Sequence, residues 1–387
     1  MDDVSLLDTV ARATRLREGP AGVAAVLRAV YRAGSLRLQD AAREARLPLP
    51  VTTAIRRELE KAGLLERKHG LSLTAEGRAF VETTLGLGVT HDVSCPACGG
   101  RGIVIPGELR GAVDRLAALI ADAPSVDVTL DQCPCTPETA VLRALLMLRS
   151  GALEGRRVLI LGDDDSLSVS IGLVGRALGK GELTRGVTVI ESDPRRVAFL
   201  RDAAAREGIT INLVEHDLRD PLPDGLARAF DTAATDPPYT LAGARLFLGR
   251  AAAALTGDGA CYFSFTRWPA AQLADLQGVM LELGFALRAV HPGFNRYLGA
   301  SVLGNVGDLF ELEQTRAQSE LPPWHGPLYT AEFNPRERIY ACAQCGAETT
   351  LGESGAPATI EALKDAGCPA CGGKVFRRRA GESPRTD

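Results

Sequence analysis

Three consecutive carboxylates, Asp163, Asp164 and Asp165, follow Gly162 and the apolar run Arg157-Val158-Leu159-Ile160-Leu161. Such a run reads as a buried strand. The turn after the first strand of a nucleotide-binding α/β unit is ordinarily glycine-rich, so that backbone N–H groups and a helix N-terminus can receive an anion. Acidic side chains in that place repel an anion and attract an amine. A helix first turn explains one aspartate; three in succession repel one another and point to a cationic ligand.

Three more acidic clusters each follow an expected strand. Residues 186–190 lead to Glu191-Ser192-Asp193, where a carboxylate can accept bonds from a ribose diol. Residues 210–214 lead to His216-Asp217, with Asp217 placed for an adenine amino group. A strand near 230–235 runs into Asp236-Pro237-Pro238-Tyr239. Helical patterns at 168–178 and 195–207 lie between them, which predicts an α/β fold: a Rossmann-like, doubly wound parallel sheet of methyltransferase type, with ligands at the strands' carboxyl ends. This is the layout of S-adenosyl-nucleotide-dependent transferases. Asp-Pro-Pro-Tyr adds chemistry at nitrogen, where the Asp and a proline carbonyl accept bonds from an amine; its plain alternative is a Pro-Pro turn leaving a strand. Intact S-adenosylmethionine would bring a carboxylate to the acidic turn. Decarboxylated S-adenosylmethionine brings only an ammonium and a sulfonium, and suits that turn better.

Gly162-Asp163-Asp164-Asp165, Glu191-x-Asp193, Asp217-Leu218, Thr235-Asp236-Pro237-Pro238 and the upstream Asp131-Gln132-x3-Thr136-Pro137-Glu138-Thr139 together resemble the branched-chain polyamine synthases, the N4-bis(aminopropyl)spermidine synthases of thermophiles, across residues 95–324. The resemblance implies transfer of aminopropyl groups from decarboxylated S-adenosylmethionine to the internal secondary amine of spermidine or a related linear polyamine. By the same correspondence, Asp165 holds the donor's ammonium or the acceptor nitrogen.

The reaction is a displacement at the carbon beside the sulfonium. The attacking nitrogen must lose its proton, and a carboxylate can orient it and take that proton. Asp165 and Asp236 are therefore the expected catalytic pair, with Asp163 and Asp164 adding field and polyamine contacts. Gly162, Glu191, Asp193 and Asp217 are expected on the donor. Tyr239 either walls the pocket or packs beneath a loop, and Glu138 either meets substrate or serves the first turn of a helix over 140–148. Asn295 and Tyr297, in His291-Pro292-Gly293-Phe294-Asn295-Arg296-Tyr297, either line the acceptor channel or satisfy loop backbone.

The chain's 387 residues, 45% of them hydrophobic, can bury two or three cores. No apolar run approaches the roughly 18 residues of a membrane span, and the start Met1-Asp2-Asp3 lacks a signal pattern, so a cytoplasmic protein is expected. Residues 1–92 carry 14 basic and 12 acidic side chains, whereas residues 93–330 carry 22 and 28. Negative charge thus gathers where a polycation would bind. The N-terminal segment, 1–92, reads as a winged helix, with helices over 21–31, 38–42 and 50–63 and a hairpin over 64–74. Arg56, Arg57, Lys61, Arg67 and Lys68 are its candidate phosphate contacts, but a net charge of about +2 is a poor footprint for nucleic acid. A role in homodimerisation or as a substrate lid fits better. A methyltransferase acting on a nucleic-acid base and a polyamine-sensing DNA-binding regulator remain the competing readings.

Nine cysteines in such a chain suggest metal rather than disulfides. Cys342-x2-Cys345 and Cys368-x2-Cys371, 22 residues apart and each followed by Gly, fit a four-thiolate zinc ribbon in the segment 331–387. Cys95-x2-Cys98 forms a second knuckle, and Cys133 and Cys135 are its candidate partners for another structural zinc. Cys261 sits in an apolar strand and reads as core.

Overall fold

The structure is a computed structural model, and it describes residues 3–45, 47–67, 70–88, 97–98, 101–298, 306–333, 338–351 and 360–378. The N-terminal part consists of α1 (Asp3–Ala13), α2 (Gly19–Ala33), β1 (Ser35–Leu36), α3 (Leu38–Ala45), α4 (Leu49–Lys61), β2 (Leu65–Arg67), β3 (Leu71–Leu73) and α5 (Ala75–Thr84). Its strands form an antiparallel sheet in the order β1-β3-β2. Val23, Leu27 and Val30 of α2, Ile55 and Leu59 of α4, and Val81 of α5 meet in its core. Several candidate phosphate contacts are already engaged. Arg56 is buried beside Glu60, Lys61 pairs with Glu58, and Arg67 with Glu60; Lys68 lies outside the described residues.

The central part runs α6 (Arg110–Ile120), α7 (Pro137–Arg149), β4 (Arg157–Leu161), α8 (Leu167–Ala177), β5 (Gly186–Glu191), α9 (Pro194–Glu207), β6 (Asn212–Glu215), β7 (Phe230–Thr235), α10 (Leu241–Ala254), β8 (Leu255–Phe265), α11 (Ala270–Glu282), β9 (Phe285–Arg296) and β10 (Val306–Gln314). The seven strands order as β6-β5-β4-β7-β8-β10-β9. The first five are parallel, and β10 runs antiparallel to both β8 and β9. Helices cover both faces, which is why the β4 run is apolar without alternation. Val158 and Ile160 pack with α7 and α8, while Leu159 and Leu161 pack with α10.

Chain order reverses at β4, between β5 and β7, and a crevice opens there at the carboxyl ends of the strands. The third strand starts at Asn212, later than the expected 210. Residues 291–296 continue β9 along the sheet edge, paired with β10.

The C-terminal part comprises α12 (Thr330–Phe333), β11 (Arg338–Cys342), β12 (Glu348–Leu351), α13 (Ile360–Ala366) and β13 (Phe376–Arg378), its strands ordered β12-β11-β13. Among the described residues no helix is long and apolar enough to cross a membrane.

Candidate active site

The turn after β4 carries the acidic run. Gly162 adopts a φ of +70°, a conformation that glycine takes without strain, and its N–H donates to the Ile190 carbonyl at 2.9 Å. The three aspartates then take different work. Asp163 is fully buried and accepts the N–H groups of Leu167, at 2.6 Å, and Ser168, at 3.2 Å, together with the Ser168 hydroxyl. It closes the first turn of α8. Asp164 accepts the Cys133 N–H at 2.8 Å, and Asp165 accepts that of Cys135 at 2.5 Å. Ser166, which precedes α8, has a φ of +56°, a strained value for a residue with a side chain.

Arg143, which the sequence reading did not single out, reaches Asp165 from α7. Its Nη1 pairs with Asp165 Oδ2, its Nη2 with Asp236 Oδ2 at 2.8 Å, and its Nε donates to Asn295 Oδ1 at 2.8 Å. Asp236 also accepts the hydroxyls of Tyr297, at 2.7 Å, and Tyr239, at 3.0 Å. Asn295 both receives the arginine and donates to the Asp308 carbonyl; it is fully buried and, of its two alternative roles, takes the one of satisfying backbone. Tyr239 stands edge-on to Phe265 and Tyr297, holding Asp236 rather than lining the cleft. Arg143 is the only charged residue between Glu138 and Arg149. That lone charge in an otherwise apolar helical run was the signal that could have found it.

The cleft divides at Gly162 and Asp236. Its inner part is lined by Arg143, Asp163, Asp165, Thr235 and Tyr262. The outer part encloses about 580 Å³, open to solvent, and carries Asp131, Asp164, Glu191, Asp217 and Asp236 with no arginine or lysine among the described residues of its lining. Glu191 accepts the N–H groups of Asp163 and Asp193, both at 3.0 Å. Leu328 and Tyr329, also missed in sequence, complete the wall. The Asp131 carboxylate accepts the Thr330 N–H at 2.7 Å, and Arg219 pairs with Glu332 at 2.5 Å. No motif marks residues 328–332; long-range hydrogen bonds bring them there.

Burial dominates the electrostatics. It raises Asp163 to about 7 against its three hydrogen bonds. Burial, then Asp165 and Asp236, holds Asp164 well above the usual carboxylate range, with Arg196 pulling the other way. Asp236 is raised to about 6, burial outweighing the pull of Arg143. The phenols of Tyr239 and Tyr297 are pushed well up by burial and then by Asp236.

Two expectations need correction, and the two alternatives for Glu138 resolve to one. Asp193 caps α9 through the Arg195 N–H and pairs with the Arg195 guanidinium; it does not line the cleft. Glu138 sits in the first turn of α7, paired with Arg110 at 2.9 Å, and is likewise outside the lining. Among the described residues the second thiolate set does not cluster: the only grouped potential metal ligands there are Cys342, Cys345, Cys368 and Cys371. Cys133 and Cys135 instead offer their backbone to the acidic turn, Cys98 is not grouped with them, and Cys95 lies outside the described residues. In the C-terminal cluster the four sulfurs lie within 4.8 Å of one another. Cys261 is fully buried in β8.

A mostly parallel seven-stranded sheet, switching order above a carboxylate-lined cleft, defines a Rossmann-like transferase. Residues 111–323 match the family described as the branched-chain polyamine synthase A C-terminal domain. The chain is 36% identical over 339 residues to the N(4)-bis(aminopropyl)spermidine synthase of Thermus thermophilus, covering 83% of this chain and 89% of that protein. It is 33% identical over 373 residues to an uncharacterised protein of Methanocaldococcus jannaschii, covering 96% and 92%. The crystal structure of the Thermus thermophilus branched-chain polyamine synthase, bound to N4-aminopropylspermidine and 5′-methylthioadenosine, superposes with a TM-score of 0.66 at 32% identity, over 85% of this chain and 97% of that one. The chain belongs to the branched-chain polyamine synthase family.

Proposed function

We propose that the protein transfers aminopropyl groups from decarboxylated S-adenosylmethionine to the internal secondary amine of spermidine or a related linear polyamine, releasing 5′-methylthioadenosine. One observation carries this reading: among the described residues the outer cleft is lined by five carboxylates and by no arginine or lysine. A donor that keeps its carboxylate meets like charge there in a partly buried site, whereas an ammonium and a sulfonium are favoured. The solved Thermus thermophilus synthase structures are complexes with N4-aminopropylspermidine and 5′-methylthioadenosine, the products this reaction forms.

In this reading Glu191 and Asp217 hold the ribose and adenine, and Gly162 leaves room for the nucleoside beside Phe247. Asp164 receives the donor's ammonium. Asp236 and Asp165 orient the acceptor nitrogen and take its proton as the nitrogen attacks the carbon beside the sulfonium. The C–S bond breaks as the C–N bond forms, and the sulfur leaves as a neutral thioether.

The flanking parts fit supporting roles. The N-terminal segment has the element order of a winged helix, and its paired or buried basic residues favour a lid or dimer contact over nucleic-acid binding. A homodimer is supported by Leu287 and Val290, exposed on the edge strand β9. The C-terminal cluster suits a structural zinc. Tetrahedral zinc at about 2.3 Å from each thiolate sets sulfurs about 3.8 Å apart, and the Cys342–Cys371 and Cys345–Cys368 separations are 3.6 Å. Gly346 and Gly372, after the second cysteine of each knuckle, have φ of +76° and +73°, which suits the tight turn of each.

The test is mass spectrometry of products formed from spermidine with the decarboxylated donor and, separately, the intact one. One or two added aminopropyl units, branching at the internal nitrogen and only with the decarboxylated donor, support the proposal. Methyl transfer from the intact donor overturns it in favour of a methyltransferase.

A further inference from the structure

Among the described residues Arg143 is the single arginine or lysine lining either part of the cleft, an odd resident for a site that would receive a polycation. It is buried within α7, amid Val141, Leu142, Leu145 and Leu146. A buried guanidinium is costly unless its donors are paired, and here the partners come from four places. Asp165 stands on the turn after β4, Asp236 on the turn after β7, Asn295 on β9, and the Tyr297 hydroxyl, 3.4 Å from Nη2, just beyond β9. The planar fork therefore ties together two carboxylates from separate strand ends.

We infer that Arg143 is a positioning residue for the transfer: it holds Asp165 and Asp236 as a fixed pair of anions aimed at one amine, acting through them and not on the substrate. The inference rests on the aminopropyltransferase reading. Counting lone pairs supports it. Asp165 gives Oδ1 to the Cys135 N–H and Oδ2 to Arg143. Asp236 gives Oδ2 to Arg143 and Tyr297, and Oδ1 to Tyr239 alone. Each carboxylate oxygen accepts about two bonds, so Asp236 Oδ2 is filled while Asp236 Oδ1 and both oxygens of Asp165 keep a free lone pair; of the two, Asp236 lines both parts of the cleft. The arginine, with Tyr297, decides which oxygen of Asp236 stays open for the amine.

The groups facing Asp236 are Arg143 from α7, Asp164 and Asp165 from the turn after β4, Tyr239 from its own turn, Tyr297 from the end of β9, and Cys133 from the segment before α7. Burial raises its carboxyl, and Arg143 is the largest influence pulling it down. Without the guanidinium, burial and Asp165 act with less opposition, and Asp236 keeps its proton to higher pH. Arginine suits the task because it stays charged at every working pH, whereas a buried lysine can neutralise.

The experiment compares kcat and KM from pH 5.5 to 9 for the wild type, Arg143→Lys and Arg143→Met, with spermidine and the decarboxylated donor. Arg143→Met should lose about 100-fold in kcat at pH 7, the scale expected when reacting groups are misplaced. The loss should shrink at pH 9, because the acid limb moves up by about one unit, and donor KM should change little. Arg143→Lys, with charge but no fork, should fall between. A loss equal at every pH, or a lysine variant no better than methionine, overturns the inference. If circular dichroism shows Arg143→Met unfolded, Arg143→Lys decides: a fall in kcat with donor KM little changed supports the inference, and a wild-type kcat overturns it. A wild type that transfers no aminopropyl group overturns the proposed function itself, and this role with it.

Discussion

Asp163 accepts the backbone N–H of Leu167, four residues on, at 2.6 Å. The bond makes the first acidic residue of the turn a helix cap, and Asp163→Ala should cost about 1–2 kcal/mol of stability. The pH dependence has a definite sign. Burial raises the folded-state carboxyl to about 7 from its ordinary value of 3.8, so the native state binds a proton that the unfolded chain has released. That contribution is complete below about pH 4 and is lost as pH rises through 7; Asp236, raised to about 6, acts in the same direction. The ligand-free wild type should melt at a lower temperature at pH 8 than at pH 5.5. Scanning fluorimetry checks this, and Asp163→Ala should flatten part of the slope. A steeper fall in the variant would reverse the assignment.

Asp165→Asn keeps the side chain's shape and removes its charge. Arg143 then loses one of its two anionic partners, and the reacting amine loses half of its carboxylate pair. We expect turnover to fall by about 100-fold or more with an unchanged circular dichroism spectrum. Near-normal turnover would move the catalytic role to Asp236 alone.

Much of this layout was legible in the chain. Apolar runs such as Val158 to Leu161, each ending in carboxylates, announced the parallel strands and the edge on which ligands gather, because a strand covered on both faces needs no polar alternation. The division of labour within Asp163, Asp164 and Asp165 was not legible. It depends on which distant N–H reaches each one: Leu167 for the first, Cys133 for the second, Cys135 for the third. The upstream Cys-Pro-Cys segment invited a metal reading because thiols carry a spacing signature, yet its backbone is what serves the site. Asp193 was placed on the donor, and Glu138 left between substrate and its own first turn, for a similar reason. A carboxylate beginning a helix has the same sequence appearance whether it faces a ligand or its own first turn.

Asp217 follows β6 and lines the outer cleft beside His216 and Tyr329. Asp217→Ala removes the acceptor proposed for the adenine amino group, a bond worth about 1 kcal/mol net. The apparent donor constant should rise several-fold while kcat at saturating donor stays within about twofold. Unchanged donor binding would show that adenine is held elsewhere in the cleft.

Zinc removal should separate the C-terminal part from the chemistry. Cys342 and Cys368 are buried, Cys345 and Cys371 exposed, and none of the four lines the cleft. Gln344 donates its N–H to the Cys342 sulfur at 3.4 Å, the kind of bond that orients a metal-bound thiolate. Elemental analysis of protein purified without added metal should find one zinc per chain, and Cys342→Ser with Cys368→Ser should abolish it. The short strands β11, β12 and β13 bury little apolar surface, with Leu351 and Leu363 among the few side chains that do. Their folding should therefore depend on the metal. Hydrogen exchange in the double variant should rise across residues 338–378 and stay unchanged across β4 to β7, with kcat retained. Iron in place of zinc would give the tail a different chemistry. Full protection without any metal would make the four thiols ordinary side chains of a small folded tail.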